Sequence, residues 1–162
     1  MPIVTKGQLK LIHSMISPRR VTLVGLDVGT SNVGVALSDP SLKLALPQTT
    51  LRRKECIAPP NNNPLYQFLR RNNSFGMIVG FPYLLDGSES VQCEDVKLFI
   101  HDFLTNTKVE LPIVLENELY TSQEAMEECA GKGKKEWNEG LRKKDKVAAA
   151  IILQDFLDSF NH

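Results

Sequence analysis

Two apolar runs, 21–28 and 33–38, meet across a Gly-Thr-Ser-Asn turn near the start of this 162-residue chain. Runs rich in Val and Leu on either side of such a turn predict a β-hairpin. The first run is apolar almost throughout, as in a central strand covered on both faces. Asp27 alone interrupts it. A carboxylate there is costly to bury unless it is paired, hydrogen-bonded or bound to a cation. Gly25 and Gly29, two residues to either side, are expected to leave room around it. An Asp that caps the following turn is the simpler account of this residue taken alone. A role in chemistry therefore depends on partners elsewhere in the chain.

The length supports one domain with a substantial core and not two. With 19 basic and 19 acidic residues the formal net charge is zero, so no global field attracts nucleic acid. Any such contact must come from a local patch. Cys56, Cys93 and Cys129 are odd in number and widely spaced, which fits neither a metal finger nor a disulfide framework. A reducing compartment is the default, cytoplasmic or, as an alternative, an organelle such as a plastid or mitochondrion. No apolar run is long enough to cross a bilayer, and no membrane partner is expected. Residues 1–20 form an extension to a single domain at 21–160. Its Lys6, Lys10, Arg19 and Arg20, with no acid, resemble a short targeting segment. Leu9, Ile12, Met15 and Ile16 at helical spacing describe a helix packed on the domain at least as well.

After the hairpin, 43–51 reads as a third strand with Pro47 at a bulge or edge, and 52–63 reads as a polar loop. Pro64 opens a helix capped by Asn63 and running to about 73. The short apolar run 76–81 fits a buried parallel strand. A loop with an Asp86-Gly87 turn follows, then a helix capped by Ser88. Residues 111–115 form a further strand, Thr121 or Ser122 caps a helix to Cys129, and 131–140 reads as a Gly- and Lys-rich loop. A final helix spans about 141–160. A meander followed by alternating helices and short strands predicts an α/β domain with a mixed sheet.

Two more acids join Asp27. Glu118 follows the 111–115 strand, and ligands of α/β sheets collect outside the carboxyl ends of strands. Asp145 precedes Ala148, Ala149 and Ile152 by three, four and seven residues, so it shares their apolar helix face. Three clustered carboxylates would repel one another unless divalent cations sit between them. Hard oxygen ligands suit Mg2+ or Mn2+, and two such ions can drive phosphodiester cleavage. Lys132, Lys134, Lys135, Arg142, Lys143, Lys144 and Lys146 crowd the approach to Asp145. A charge run of this kind is usually a solvated face; beside an acidic metal site it would hold a phosphate backbone. Trp137 in the same stretch would stack a base or anchor the core.

Gly25-Leu26-Asp27-Val28-Gly29-Thr30, then Val79-Gly80-Phe81-Pro82 with Asp86-Gly87-Ser88-Glu89, then Glu118 before Thr121-Ser122, and Asp145 before Ala148-Ala149 occur in this order. The pattern resembles the Holliday-junction-resolvase-like family, also described as pre-16S rRNA nucleases, over roughly residues 21–158. The resemblance implies a ribonuclease H-like fold, a five-stranded mixed sheet flanked by helices. It implies that Asp27, Glu118 and Asp145 are catalytic metal ligands. Gly29, Thr30 and Ser31 would shape the site's floor, and Gly87 and Ser88 its rim. The implied activity is a nuclease of ribosomal RNA maturation or of branched DNA, with ribosomal precursor particles as partners. The chain departs from the family around the second acid, where Asn117-Glu118-Leu119-Tyr120 replaces the common Asp-Glu-Arg-Leu. Loss of that Arg removes a phosphate contact or a partner for the carboxylates.

Two other readings compete. The 27–36 hairpin also resembles the first phosphate loop of actin-like ATPases and sugar kinases, but those enzymes close two such domains around a nucleotide and this chain has one. An RNA- or ribosome-binding assembly factor with the same fold and weak or lost catalysis is the stronger alternative, favoured by Leu119 and the neutral charge.

Overall fold

The computed structural model describes residues 3–16, 21–118 and 134–161, with side chains from 145 onward in the last segment. The elements are α1 (Lys6–Met15), β1 (Thr22–Val28), β2 (Asn32–Ser38), β3 (Ala45–Arg52), α2 (Arg53–Cys56), α3 (Pro64–Arg71), β4 (Ser74–Phe81), α4 (Val91–Thr107), β5 (Ile113–Asn117) and α5 (Lys134–Phe160). The strands form one mixed sheet in the order β3-β2-β1-β4-β5. The first three pair antiparallel as a meander, whereas β1–β4 and β4–β5 are parallel. This is the five-stranded mixed sheet flanked by helices that the sequence resemblance implied.

Strand alternation divides the core into two layers. Val24, Leu26, Met77 and Val79 pack with Phe68, Phe99 and Phe103 of α3 and α4. Leu23, Ile78 and Val114 pack with Ala149, Ile152, Leu153 and Phe156 of α5. Every residue of β4 is buried, as a parallel strand covered on both faces requires. The helical stripe near the N-terminus is α1, begun by a capping box between Thr5 and Gln8. Its Leu9 enters the α5-side core, and Val4 donates to the Ile113 carbonyl at 2.8 Å.

Several local expectations shift. The segment read as a loop at 52–63 holds α2 and a 3-10 turn at Pro60–Asn62. Buried Asn63 explains both. Its Nδ2 donates to the carbonyls of Cys56 and Ala58 at 2.6 and 2.9 Å, while its Oδ1 caps α3 by accepting from the Tyr66 amide. Pro47 does sit on an edge strand at a register shift, as expected of a residue without an amide proton. Ser90, not Ser88, stands at the N-cap of α4, and Ser88 turns back to donate to Asp86. The Gly- and Lys-rich stretch expected to be a loop is helical from Lys134, so α5 absorbs Gly140. β5 runs on to Asn117 and so delivers Glu118 directly from its end. The helix expected from Thr121 or Ser122 to Cys129 lies outside the described residues. Cys56 and Cys93 are buried free thiols, and burial pushes the Cys56 thiol up to about 12.

The space beside Asp27 is filled by α5. A Cβ on Gly25 would lie 2.7 Å from Leu153 Cβ and 2.9 Å from the Ala149 carbonyl oxygen. One on Gly34 would overlap the Asp145 carbonyl. Gly25 therefore admits a helix, where an open approach for a ligand was expected. At the far end, Gln154 clamps α5 to the β2–β3 connection, accepting from Ala45 and donating to the Lys43 carbonyl, both at 2.9 Å. Gly34→Ala should force α5 off its seat. Overpacking against backbone costs about 1–3 kcal/mol, read as a fall in melting temperature; an unchanged melt would show that the helix does not rest there.

Candidate active site

Register and alternation bring the acids to one face at one edge. β1 pairs Gly25 with Ile78 of β4, and β4 pairs Gly80 with Glu116 of β5. Asp27 stands two residues past Gly25 and Glu118 two past Glu116, so both lie on the face that α5 covers. The Glu118 amide donates to the Phe81 carbonyl, which holds it at the carboxyl end of β4. Its carboxylate lies over Gly80: a Cβ on that glycine would stand 2.7 Å from Glu118 Oε2 and 2.5 Å from Ile152 Cδ1.

Burial, and then the nearby Asp27 carboxylate, push the Glu118 carboxyl up to about 8. Glu118 Oε2 is buried and, among the described residues, has no hydrogen-bond donor. Its polar neighbour Asp27 is itself an acceptor when ionised, so the two can bond only by sharing a proton. A cation between them would satisfy the same oxygens.

Asp145 enters through its backbone. Its carbonyl sits on Gly34, the cross-strand partner of Asp27. Ala148, Ala149 and Ile152 continue from it into the core, fully buried. The Asp145 side chain is half-buried and has an interaction of its own. Among the described residues, no three His, Cys, Asp or Glu side chains form a group able to hold a metal ion. The structure thus brings Asp27 and Glu118 together and sets Asp145 beside Asp27 without closing a three-acid cluster.

The remaining candidates fall in three places. Gly29 closes the turn after β1, donating to the Asn32 carbonyl at 2.8 Å, and Thr30 and Ser31 are exposed on it. Gly87 and Ser88 are exposed in the loop after β4, where Gly87 adopts φ +86° and the Leu84 amide donates to the Ser88 carbonyl. Of the basic run, Lys146 is half-buried next to Asp145. Lys132 and the side chains of Lys134, Lys135, Arg142, Lys143, Lys144 and Trp137 lie outside the described residues, as do Leu119 and Tyr120.

Residues 21–159 match the profile of the RuvX family, described as Holliday junction resolvase. The chain belongs to this family. Similar relatives carry the name "Putative pre-16S rRNA nuclease". One from Zymomonas mobilis is 32% identical over 94% of this chain and 90% of its own. One from Chelativorans sp. is 34% identical over 84% of this chain and 82% of its own. A third, from Crocosphaera subtropica, is 34% identical over 86% of this chain and 94% of its own.

In this RuvX-family chain the structure adds a residue that sequence reasoning passed over inside its supposed loop. Arg53 Nη1 donates to the Gly29 carbonyl at 3.0 Å, and its two terminal nitrogens grip the Asp95 carboxylate at 2.6 and 3.0 Å. Its amide donates to the Ser31 carbonyl, and its guanidinium lies over the Phe99 ring. Arg53 therefore fastens the turn after Asp27 to α4, and its hydrogen bonds hold the Asp95 carboxyl below the usual range. Only the β2–β3 pairing, which sets Asn32 opposite Arg52, could have pointed to it.

Two outcomes follow from this geometry. In EDTA, folded protein keeps a proton on Glu118 that the unfolded chain releases near pH 4.5, so stability should fall as pH rises from about 4.5 to about 8. Glu118→Gln should remove that decline and melt higher than wild type at pH 8, with the two converging near pH 4.5; parallel melting curves across the range would contradict it. Arg53→Gln should cost about 1.5–3 kcal/mol, the usual range for hydrogen bonds to charged groups. Arg53→Lys should restore only part of this in a chemical-denaturation curve, because an ammonium cannot span both partners.

Proposed function

We propose that this chain is a metal-dependent endonuclease that hydrolyses phosphodiester bonds in structured RNA of ribosomal precursors or in branched DNA. One observation carries the reading: two carboxylates at the ends of separate strands are pressed together at the carboxyl edge of the sheet, with Glu118 Oε2 buried and without a donor among the described residues. The all-oxygen set fits Mg2+ or Mn2+. Asp27 and Glu118 would hold it; Asp145 lies outside their group in this structure, and its part as a third ligand is what the Asp145→Asn variant tests. Bound metal supplies a lowered water pKa and neutralises charge on the phosphate. The protein's own part is to fix the carboxylates: Gly80 makes room for Glu118, Ile152 keeps water from its inner side, and Arg53 sets the turn after Asp27. The basic run at 132–146, on the approach to Asp145, holds substrate phosphates. Family membership and the relatives' names support both substrate classes.

Leu119 supports the second reading, an assembly factor that binds RNA or ribosomal particles with little catalysis. Cleavage of a pre-16S-like RNA and a four-way DNA junction in Mg2+ and in Mn2+ separates the two. Wild type should cut at least one. Asp27→Asn, Glu118→Gln and Asp145→Asn should each lose more than the roughly 100-fold that removal of an outer-shell partner costs, while still binding. Equal behaviour of all four proteins, with binding intact, would leave the assembly-factor reading in place.

A further inference from the structure

The Gly29–Asn32 turn and the end of β3 border an open cleft of about 500 Å³ lined by Thr30, Ser31, Asn32, Arg52, Arg53 and Lys54, with Ile57 as an apolar wall. Asn32 and Arg52 are register partners, so the cleft is built into the end of the β2–β3 ladder. Thr30 is three residues beyond Asp27, at most about 10 Å of extended chain. Thr30 on its wall therefore stands within that reach of Asp27, at the turn that ends β1, while Arg53 beside it lies over Phe99 of α4, on the sheet face away from α5.

Its chemistry differs from that of an ordinary charged surface. Arg53, the central cation of the Arg-Arg-Lys run, is committed to Asp95 and Gly29 and is largely buried. Arg52 and Lys54 on either side of it are exposed and enter no ion pair among the described residues. Thr30 and Ser31 present exposed hydroxyl side chains opposite them. Because Arg53 bonds the carbonyls of both Gly29 and Ser31, the turn is held in shape before anything binds. Arg52 also borders a second hollow of about 300 Å³ shared with Thr50 and Glu55. The exposed Glu55 offsets one charge there, leaving the main cleft as the cationic side. Cations, hydroxyls and an amide side chain on a rigid turn are the groups that bind nucleic-acid phosphates and set register without reading sequence.

We propose that this cleft is a phosphate-binding stretch of the substrate track, seating the backbone of the nucleic-acid strand on the β3 side of the Asp27–Glu118 pair. Arg52 and Lys54 neutralise its phosphates, and Thr30, Ser31 and Asn32 supply neutral hydrogen bonds. The proposal rests on the nuclease reading and deepens it. A neutral chain must hold a polyanion through local cations, and this cleft supplies them on the side of the acids away from β5.

The test is binding of the full chain carrying Asp27→Asn, which prevents cutting, to two labelled probes: a four-way DNA junction and an RNA hairpin with single-stranded tails. Dissociation constants are measured from about 50 to 200 mM KCl. Adding R52Q and K54Q should weaken binding to both probes alike and reduce the salt slope by about one for each cation removed. K43Q with K108Q, exposed cations at the opposite end of the strands, is the charge-matched control and should leave the slope unchanged. Melting curves confirm that each variant is folded. An unchanged slope in R52Q/K54Q, or an equal fall in the control, overturns the cleft while nucleic-acid binding stands. Failure of the Asp27→Asn chain to bind either probe at low salt removes this proposal and the nuclease reading together.

Discussion

The backbone of α5 touches the backbone of the sheet, and the site depends on that contact. Helices usually pack with their axes about 8–10 Å from a neighbouring helix, separated by side chains. Here Gly34 has no side chain to interpose, and the Asp145 carbonyl settles on it. The same seat carries Ile152 over Gly80, where it closes the inner side of Glu118. One close approach therefore does two things: it sets the third acid beside the cross-strand partner of the first, and it excludes water from the second. A helix raised by one methyl group would loosen both.

That closeness also creates the electrostatic liability. Glu118 is driven toward its neutral form chiefly by burial and further by Asp27. Both effects weaken if α5 lifts and water enters. A few residues away, the Arg53–Asp95 pair shows how the same fold treats a charge it needs only for structure. There the carboxylate has a bidentate cation and its proton is held more weakly than usual. The contrast is informative because the two sites share the Gly29 turn. One acid is fully satisfied and fixes the scaffold; the other is left needing a proton or a cation. Sites that break the rule of local satisfaction while their surroundings obey it are where function is found.

Much of this was legible in the residues, and the parts that were not have a common cause. Asp27 stood out because it interrupts an apolar run, and Asn63 and Pro64 announced a helix start through chemistry confined to a few positions. Glu118 and Asp145 needed the resemblance, since neither differs on its own from a loop glutamate or a helix-terminal aspartate. Gly25 was misread because a glycine beside an acid suits a ligand or a helix equally well, and only tertiary packing decides. Gly140 and its lysines looked like a loop by composition, yet propensity is a weak prior within a helix that is 27 residues long. Arg53 stayed hidden for a stronger reason. Its partners are 24 and 42 residues away, and no local pattern encodes contacts that exist only after β3 has paired with β2.

The zero net charge bears on how such a site would select its substrate. Net charge supplies no long-range attraction for a polyanion here, so any steering comes from local patches. Discrimination must then arise after encounter, from how many phosphates can reach local cations at once. The described part of the edge offers a rigid turn with hydroxyls and two unpaired cations on one side of the acid pair, and half-buried Lys146 beside Asp145 on α5. Contacts held in fixed positions reward a strand whose path is already bent to meet them, because a flexible strand loses more conformational freedom on binding. A structured RNA end and a junction arm share that property although their chemistry differs. On the proposed reading, such a site would select for the shape of the phosphate backbone ahead of base sequence.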